Sequence, residues 1–216
     1  MPTSSNSPDP RYSLAFSRKR DAWICWLVQR HPVTAEMLVY LNWFSQKRKA
    51  VKRLRRLVEC GRTFLLGIVC QRPDSPEEVF CGWRAKPDQL LHEVQLTQLF
   101  LRLDAGEIQR GPYISDQTVL PDAELRINGK LFYLELDRGT MGTAQIAQRF
   151  LKYESCPHLS LWVCSSEART EVLRQRAVRL RSTALFTTYA EALADPHAEI
   201  WRDFNGGTVA LPRDPA

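Results

Sequence analysis

Apolar and polar positions along this chain follow two periods, and the places where one gives way to the other mark its elements. From Arg18, Trp23, Trp26 and Leu27 recur at helical spacing, and the segment stops near His31-Pro32. Thr34 reads as the N-cap of a second helix carrying Met37, Leu38 and Leu41, and Ser45 as the cap of a third. The third helix, SQKRKAVKRLRRLVECG, places Val51, Leu54, Leu57 and Val58 on one apolar stripe and ends at Gly61. Strand patterns follow over residues 63–70 and 79–83, separated by a proline-containing loop over 71–77. Three helices followed by a hairpin is the element order of a winged helix-turn-helix.

The second half alternates strand and helix. After a connector over 83–88, QLLHEVQLTQLFLRL predicts a mostly buried helix through Leu90, Leu91, Val94, Leu99 and Leu103. Residues 104–115 hold Gly106 and Gly111-Pro112 and predict an irregular strand or loop. Then Asp122, Glu124 and Arg126 alternate with Ala123, Leu125 and Ile127, Asn128-Gly129 supplies a hairpin turn, and the return strand places Leu131, Tyr133, Glu135 and Asp137 opposite Phe132, Leu134 and Leu136. Arg138-Gly139-Thr140 leads into a helix with Ile146, Phe150 and Tyr153 in its buried row and Gln145, Arg149 and Lys152 in a polar row opposite. LSLWVC at 159–164 predicts a central strand, 167–181 a basic helix, 184–188 a strand and 189–194 a short helix, with little periodic signal from Trp201 onward. The fold class is α/β, with a mixed sheet in the second domain. The expected division is a flexible lead-in at 1–17, a winged helix at 18–86 and an α/β domain at 87–216.

Composition adds an electrostatic asymmetry. The net charge of +6 over 216 residues comes from the first 89, which hold 16 Lys/Arg against 8 Asp/Glu, whereas the remainder holds 14 against 16. A basic first half points to a polyanion partner. Six cysteines form no CxxC pair and match no zinc set with the scattered His31, His92, His158 and His197, so reduced core thiols are expected. No long apolar run suggests a membrane segment, and the amino terminus has Pro, Ser, Asn and Asp where a signal peptide needs apolar residues, which predicts a cytoplasmic protein.

Two features carry candidate chemistry. Within ten residues the third helix carries seven cations, Lys47, Arg48, Lys49, Lys52, Arg53, Arg55 and Arg56, mostly outward. In a winged helix this element enters the major groove of duplex DNA, and Lys/Arg contacts to phosphate supply most of the non-specific affinity. The usual alternative for such a run is a solvated helix face. The second feature is the convergence of Asp122, Glu135 and Asp137 on neighbouring strands, where like charges call for a cation or a basic partner.

The segments LLHEVQLTQL, LPDAELRI and FYLELDRGT, followed by a helix ending in RFLKY, resemble the plasmid replication-relaxation proteins and the related MOBC-type relaxases, from about Leu91 to Tyr153. The winged helix ahead and the WRDFNGG segment behind fit the same family. The resemblance implies a PD-(D/E)xK nuclease-like fold and metal-dependent nicking of plasmid DNA at an origin-like site, beside relaxosome or coupling proteins. It implies that Asp122 and Glu135 hold Mg²⁺ or Mn²⁺, that Glu93 assists from its helix and that Asp137 adds a ligand or hydrogen bond. Asp137 stands where active members carry Lys, so Lys152 or Arg149 would have to supply the cation. The alternative is that the acids pair with Arg126, Arg138 and Arg149, leaving a nuclease-like fold that only binds DNA.

Overall fold

The computed structural model describes residues 19–71, 75–103, 107–110, 119–180 and 183–213. The expected lead-in at 1–17 lies outside these residues, as does most of 104–115. Two compact units divide the chain, Met1–Gln98 and Leu99–Ala216.

The first unit contains α1 (Lys19–Arg30), α2 (Ala35–Tyr40), α3 (Lys47–Glu59) and an antiparallel pair, β1 (Phe64–Cys70) and β2 (Pro76–Cys81). Its core gathers Ile24, Val28, Leu38, Leu54, Leu57 and Phe80, all fully buried. Trp23 and Trp26 are only half-buried, because the inward face of α1 is built on Ile24, Leu27 and Val28. Likewise Ala50, with Leu54 and Leu57, forms the buried stripe of α3, and Val51 and Val58 flank it. Gln46, not Ser45, precedes the first helical residue of α3. Val33, between α1 and α2, exchanges backbone hydrogen bonds with Phe80 at 2.8 and 2.9 Å, which ties the helical part to the hairpin. β2 starts earlier than its apolar pattern predicts, because Pro76 can occupy the first position of a strand.

α4 (Leu90–Leu103) crosses the division between the units. Its first half belongs with the hairpin: a Cβ at Gly67 would stand 3.3 Å from Leu90 Cδ2, so β1 has a glycine where the helix approaches.

The second unit is a seven-stranded mixed sheet whose spatial order follows the chain: β3 (Glu107–Arg110), β4 (Ala123–Ile127), β5 (Lys130–Asp137), β6 (Leu159–Cys164), β7 (Ala184–Thr188), β8 (Trp201–Arg202) and β9 (Thr208–Val209). The central β5, β6 and β7 are parallel and the outer pairings antiparallel. Asn128 and Gly129 turn the β4–β5 hairpin with φ of +50° and +72°, values that suit an Asn-Gly turn. Helices α5 (Thr143–Tyr153) and α6 (Glu167–Arg176) supply Ile146, Phe150, Tyr153 and Leu173 to a core with Tyr133, Trp162 and Phe186. The Trp162 ring meets Phe150 edge-on at 4.9 Å and Tyr153 at 5.4 Å. α7 (Tyr189–Ala194) packs against β6 and β7.

Three expectations change here. α6 ends at Arg176, and a separate 3-10 turn, Val178–Leu180, follows. The segment after Trp201 adds β8 and β9 to the sheet edge, joined by a turn at Gly206-Gly207. Cys25, Cys81, Cys156 and Cys164 are buried free thiols, but Cys60 and Cys70 are exposed. Among the described residues, no helix is long and apolar enough to cross a membrane.

Glu191 locks the end of the sheet. Its carboxylate accepts from the Thr188 N–H at 3.0 Å and the Thr188 hydroxyl at 2.8 Å, and pairs with Arg202 at 2.7 Å. The Arg202 bonds, reinforced by Thr188, hold the Glu191 carboxyl down to about 2, below its ordinary value of 4.5. A depressed carboxyl stabilises the fold above its unfolded value and loses that contribution as pH falls through its folded value. Thermal melting should therefore show stability falling from about pH 5 towards about pH 2, and Glu191→Gln should flatten that part of the profile.

Candidate functional site

The hairpin brings two acids together. β4 pairs with β5 up to Ala123–Leu134, and one step further in that register places Asp122 beside Glu135. There Asp122 continues the ladder with its side chain, its Oδ2 accepting the Leu136 N–H at 2.8 Å. Glu135 is 2% exposed and Asp122 19%, so the pair runs from the interior of the sheet towards its surface.

α5 lays an arginine and a tyrosine over this pair. Arg149 donates from Nε to Glu135 Oε1 at 3.0 Å and from its terminal nitrogen to Oε2, and the same nitrogen stands 3.7 Å from Asp122 Oδ1. The Tyr153 hydroxyl donates to Glu135 Oε1. The sequence pattern sets Arg149 opposite the buried row, and the structure corrects this. Each residue turns a helix by about 100°, so a row offset by one residue is a flank and not the far side. Arg149 lies on the flank beside Ile146, Phe150 and Tyr153 and reaches the sheet. Tyr153 serves both roles, ring in the core and hydroxyl on the acid. Burial, followed by the charge of Asp122, pushes Glu135 up to about 8, against the opposing pull of Arg149 and Tyr153. Two carboxylates sharing one guanidinium leave a negative charge that a buried group is poorly placed to carry. Burial and Glu135 likewise raise the Tyr153 phenol.

Asp137 shares the face of Glu135 on β5 but belongs to a different pair. Its Oδ1 accepts the Gly139 N–H at 2.8 Å and its Oδ2 accepts Arg169 Nε at 2.5 Å, while Arg169 also donates to the Met141 carbonyl at 2.9 Å. Arg169 is the residue that sequence reasoning missed. The parallel register sets Asp137 beside Cys164, so the chain leaving β6 brings the first turn of α6 to this acid. The partners anticipated from neighbouring sequence are therefore partly replaced: among the described residues Arg149 pairs with Asp122 and Glu135, Arg169 with Asp137, and Arg126 is exposed on β4. Lys152 is exposed on α5 and makes no ion pair with Asp122 or Glu135. Glu93 lies in the first turn of α4, in the Met1–Gln98 unit, where its carbonyl accepts the Thr97 hydroxyl at 3.0 Å.

A divalent ion of the kind the resemblance implies takes about six oxygen ligands for Mg²⁺. Among the described residues no group of three or more His, Cys, Asp or Glu side chains is gathered for a metal ion. Glu135 and Asp122 face a guanidinium, and Asp137 is committed to Arg169. As arranged, these residues do not fit a resident divalent ion.

The cations of α3 divide into two sets. Lys47 reaches Glu36 at 2.8 Å and the buried Glu77 at 3.2 Å, and Arg53 reaches the buried Asp21 at 2.9 Å, so both brace the first unit and do not point simply outward. Arg55 pairs with Glu78 and Arg56 with Glu59, yet their side chains stay 61% and 64% exposed. Arg48, Lys49 and Lys52 are exposed. Positions 48, 52, 55 and 56, with 49 beside them, fall on one face at helical spacing. Comparisons with protein families, curated proteins and solved structures find no match for this chain.

Breaking a buried ion pair on one side leaves an uncompensated charge and costs about 3–5 kcal/mol. Arg169→Met should lower unfolding free energy by that order, since Asp137 is 1% exposed. Denaturant titration should show Asp137→Asn combined with Arg169→Met losing clearly less than the sum of the two single changes.

Proposed function

We propose that this is a cytoplasmic DNA-binding protein of plasmid replication-relaxation or mobilisation. A winged-helix unit docks on duplex DNA through α3, and a PD-(D/E)xK-like unit acts as an accessory without strand cleavage. The observation that carries the reading is the cationic face of α3, with Arg48, Lys49, Lys52, Arg55 and Arg56 exposed on one side of a helix whose other side is core. A phosphate backbone is the polyanion such a face neutralises, and each cation that meets phosphate releases counterions. The helix order, the hairpin and the Val33 bridge support a winged helix, in which the third helix is the one offered to the major groove. The hairpin acids, α5 and the parallel β6 support a nuclease-like second unit, in keeping with the plasmid-protein resemblance. The proposed setting is an origin-like site, beside relaxosome or coupling proteins.

A second reading, a metal-dependent nicking enzyme, is favoured by one observation: Asp122 and Glu135 converge from adjacent strands. It requires Arg149 to release both carboxylates.

Fluorescence anisotropy on duplex DNA across a salt series tests the targeting unit. Arg48→Ala/Lys49→Ala/Lys52→Ala should weaken binding and reduce the slope of log K against log salt by about 0.9 for each phosphate that is no longer neutralised. An unchanged slope would remove α3 from the interface. Supercoiled plasmid incubated with the protein and Mg²⁺ or Mn²⁺ should stay supercoiled. Open circles that disappear in Asp122→Ala and Glu135→Ala would establish the nicking enzyme instead.

A further inference from the structure

The acids and the helix laid over them differ from a metal site in a specific way: every carboxylate oxygen already faces a protein donor. Glu135 Oε1 accepts from Arg149 Nε and the Tyr153 hydroxyl, and Oε2 accepts the terminal nitrogen of Arg149. Asp122 Oδ2 accepts the Leu136 N–H, and Oδ1 faces Arg149 at 3.7 Å. One guanidinium nitrogen thus stands between two carboxylates from neighbouring strands, a position open to a cation shared by both.

We infer that Arg149 is the resident cation of the Asp122–Glu135 pair, so that the wild-type protein takes up no divalent ion there and the two acids accept one only when Arg149 is removed. The inference deepens the proposal of a nuclease-like unit without cleavage and rests on it. Three observations support it. A guanidinium does not deprotonate in proteins, so the positive charge is permanent, unlike that of a buried lysine. Arg149 rises from a helix whose Ile146, Phe150 and Tyr153 are buried, so its guanidinium is presented to both acids from a backbone fixed against the sheet. Asp137, the nearest further acid on the same face of β5, is taken by Arg169, so an incoming ion finds no third carboxylate on this strand. A divalent ion would have to displace Arg149 and the Tyr153 hydroxyl and then sit beside a positive charge.

The test is Mn²⁺ binding to the full chain, read from the electron paramagnetic resonance signal of free Mn²⁺, with thermal melting alongside. Wild type should show no stoichiometric site at millimolar Mn²⁺ and no metal-dependent rise in melting temperature. Arg149→Met should bind one Mn²⁺ at least about tenfold more tightly than wild type and gain thermal stability with it. Adding Glu135→Gln should abolish that binding. Wild-type uptake of one Mn²⁺ that Glu135→Gln removes would overturn the inference, as would a folded Arg149→Met variant with no site. Should Arg149→Met fold only with Mn²⁺, that dependence supports the inference. The wild-type titration decides the matter without any variant. Metal binding is measured in the absence of DNA, so failure of the α3 proposal, read from the salt slope, is distinguishable from failure of this one.

Discussion

The Glu135–Arg149 pair is the contact on which the second unit's arrangement depends. A carboxylate 2% exposed in the middle of a sheet is strongly unfavourable without a partner. The partner comes from the next helix, and reaching it sets the orientation of α5: Ile146, Phe150 and Tyr153 must face the sheet for Arg149 to lie on the adjoining flank. Tyr153 then adds a hydroxyl to the same acid while its ring packs edge-on against Trp162. The polar pair and the aromatic core are therefore one assembly. Burying an ion pair is a poor source of net stability, but it specifies register, since a helix displaced by one residue would put Gln148 or Phe150 in place of the guanidinium.

The same logic recurs further along the chain. Asp137 on β5 and Arg169 on α6 repeat an acid at the end of a strand answered by an arginine from a helix. In the first unit, Arg53 answers the buried Asp21 and Lys47 answers Glu77. Part of the basic excess of the chain is therefore structural. What remains is the outward face of α3, and its value lies in cations whose charge is not spent on buried acids. Exposed pairs such as Arg56–Glu59 contribute little to stability.

Much of this architecture was legible in the sequence, because it follows from local periods. The Asn128-Gly129 turn, the shared face of Glu135 and Asp137, the central apolar strand at Leu159–Cys164 and the cap at Thr34 all come from spacing and residue type. What was not legible depends on contacts far apart in the chain. Arg169 meets Asp137 only through the parallel pairing of β5 with β6, a register that no local pattern specifies. Lys47 and Arg53 look like other members of a charge run until tertiary packing supplies Glu77 and Asp21. β8 and β9 span two residues each, too short to display a period. The position of Arg149 was available, but only by treating an offset of one residue as a flank.

Electrostatic balance links the two units' roles. Three carboxylates, Asp122, Glu135 and Asp137, are set against two guanidiniums, Arg149 and Arg169, so this set carries a formal excess of one negative charge. Had a lysine stood in place of Asp137, the same face would carry a positive excess suited to a phosphate. With an aspartate there, Arg169 is consumed in neutralising it, and the unpaired charge is shared by Asp122 and Glu135, which adds to burial in raising Glu135 to about 8. The more exposed of the two, Asp122, is the better solvated host for that charge. Raised to about 8, Glu135 carries a proton at neutral pH, and the remaining Asp122 and Asp137 then balance Arg149 and Arg169. The cationic face of α3 and the acid–arginine set thus lie on separate units, and within the second unit the acids are answered by its own arginines.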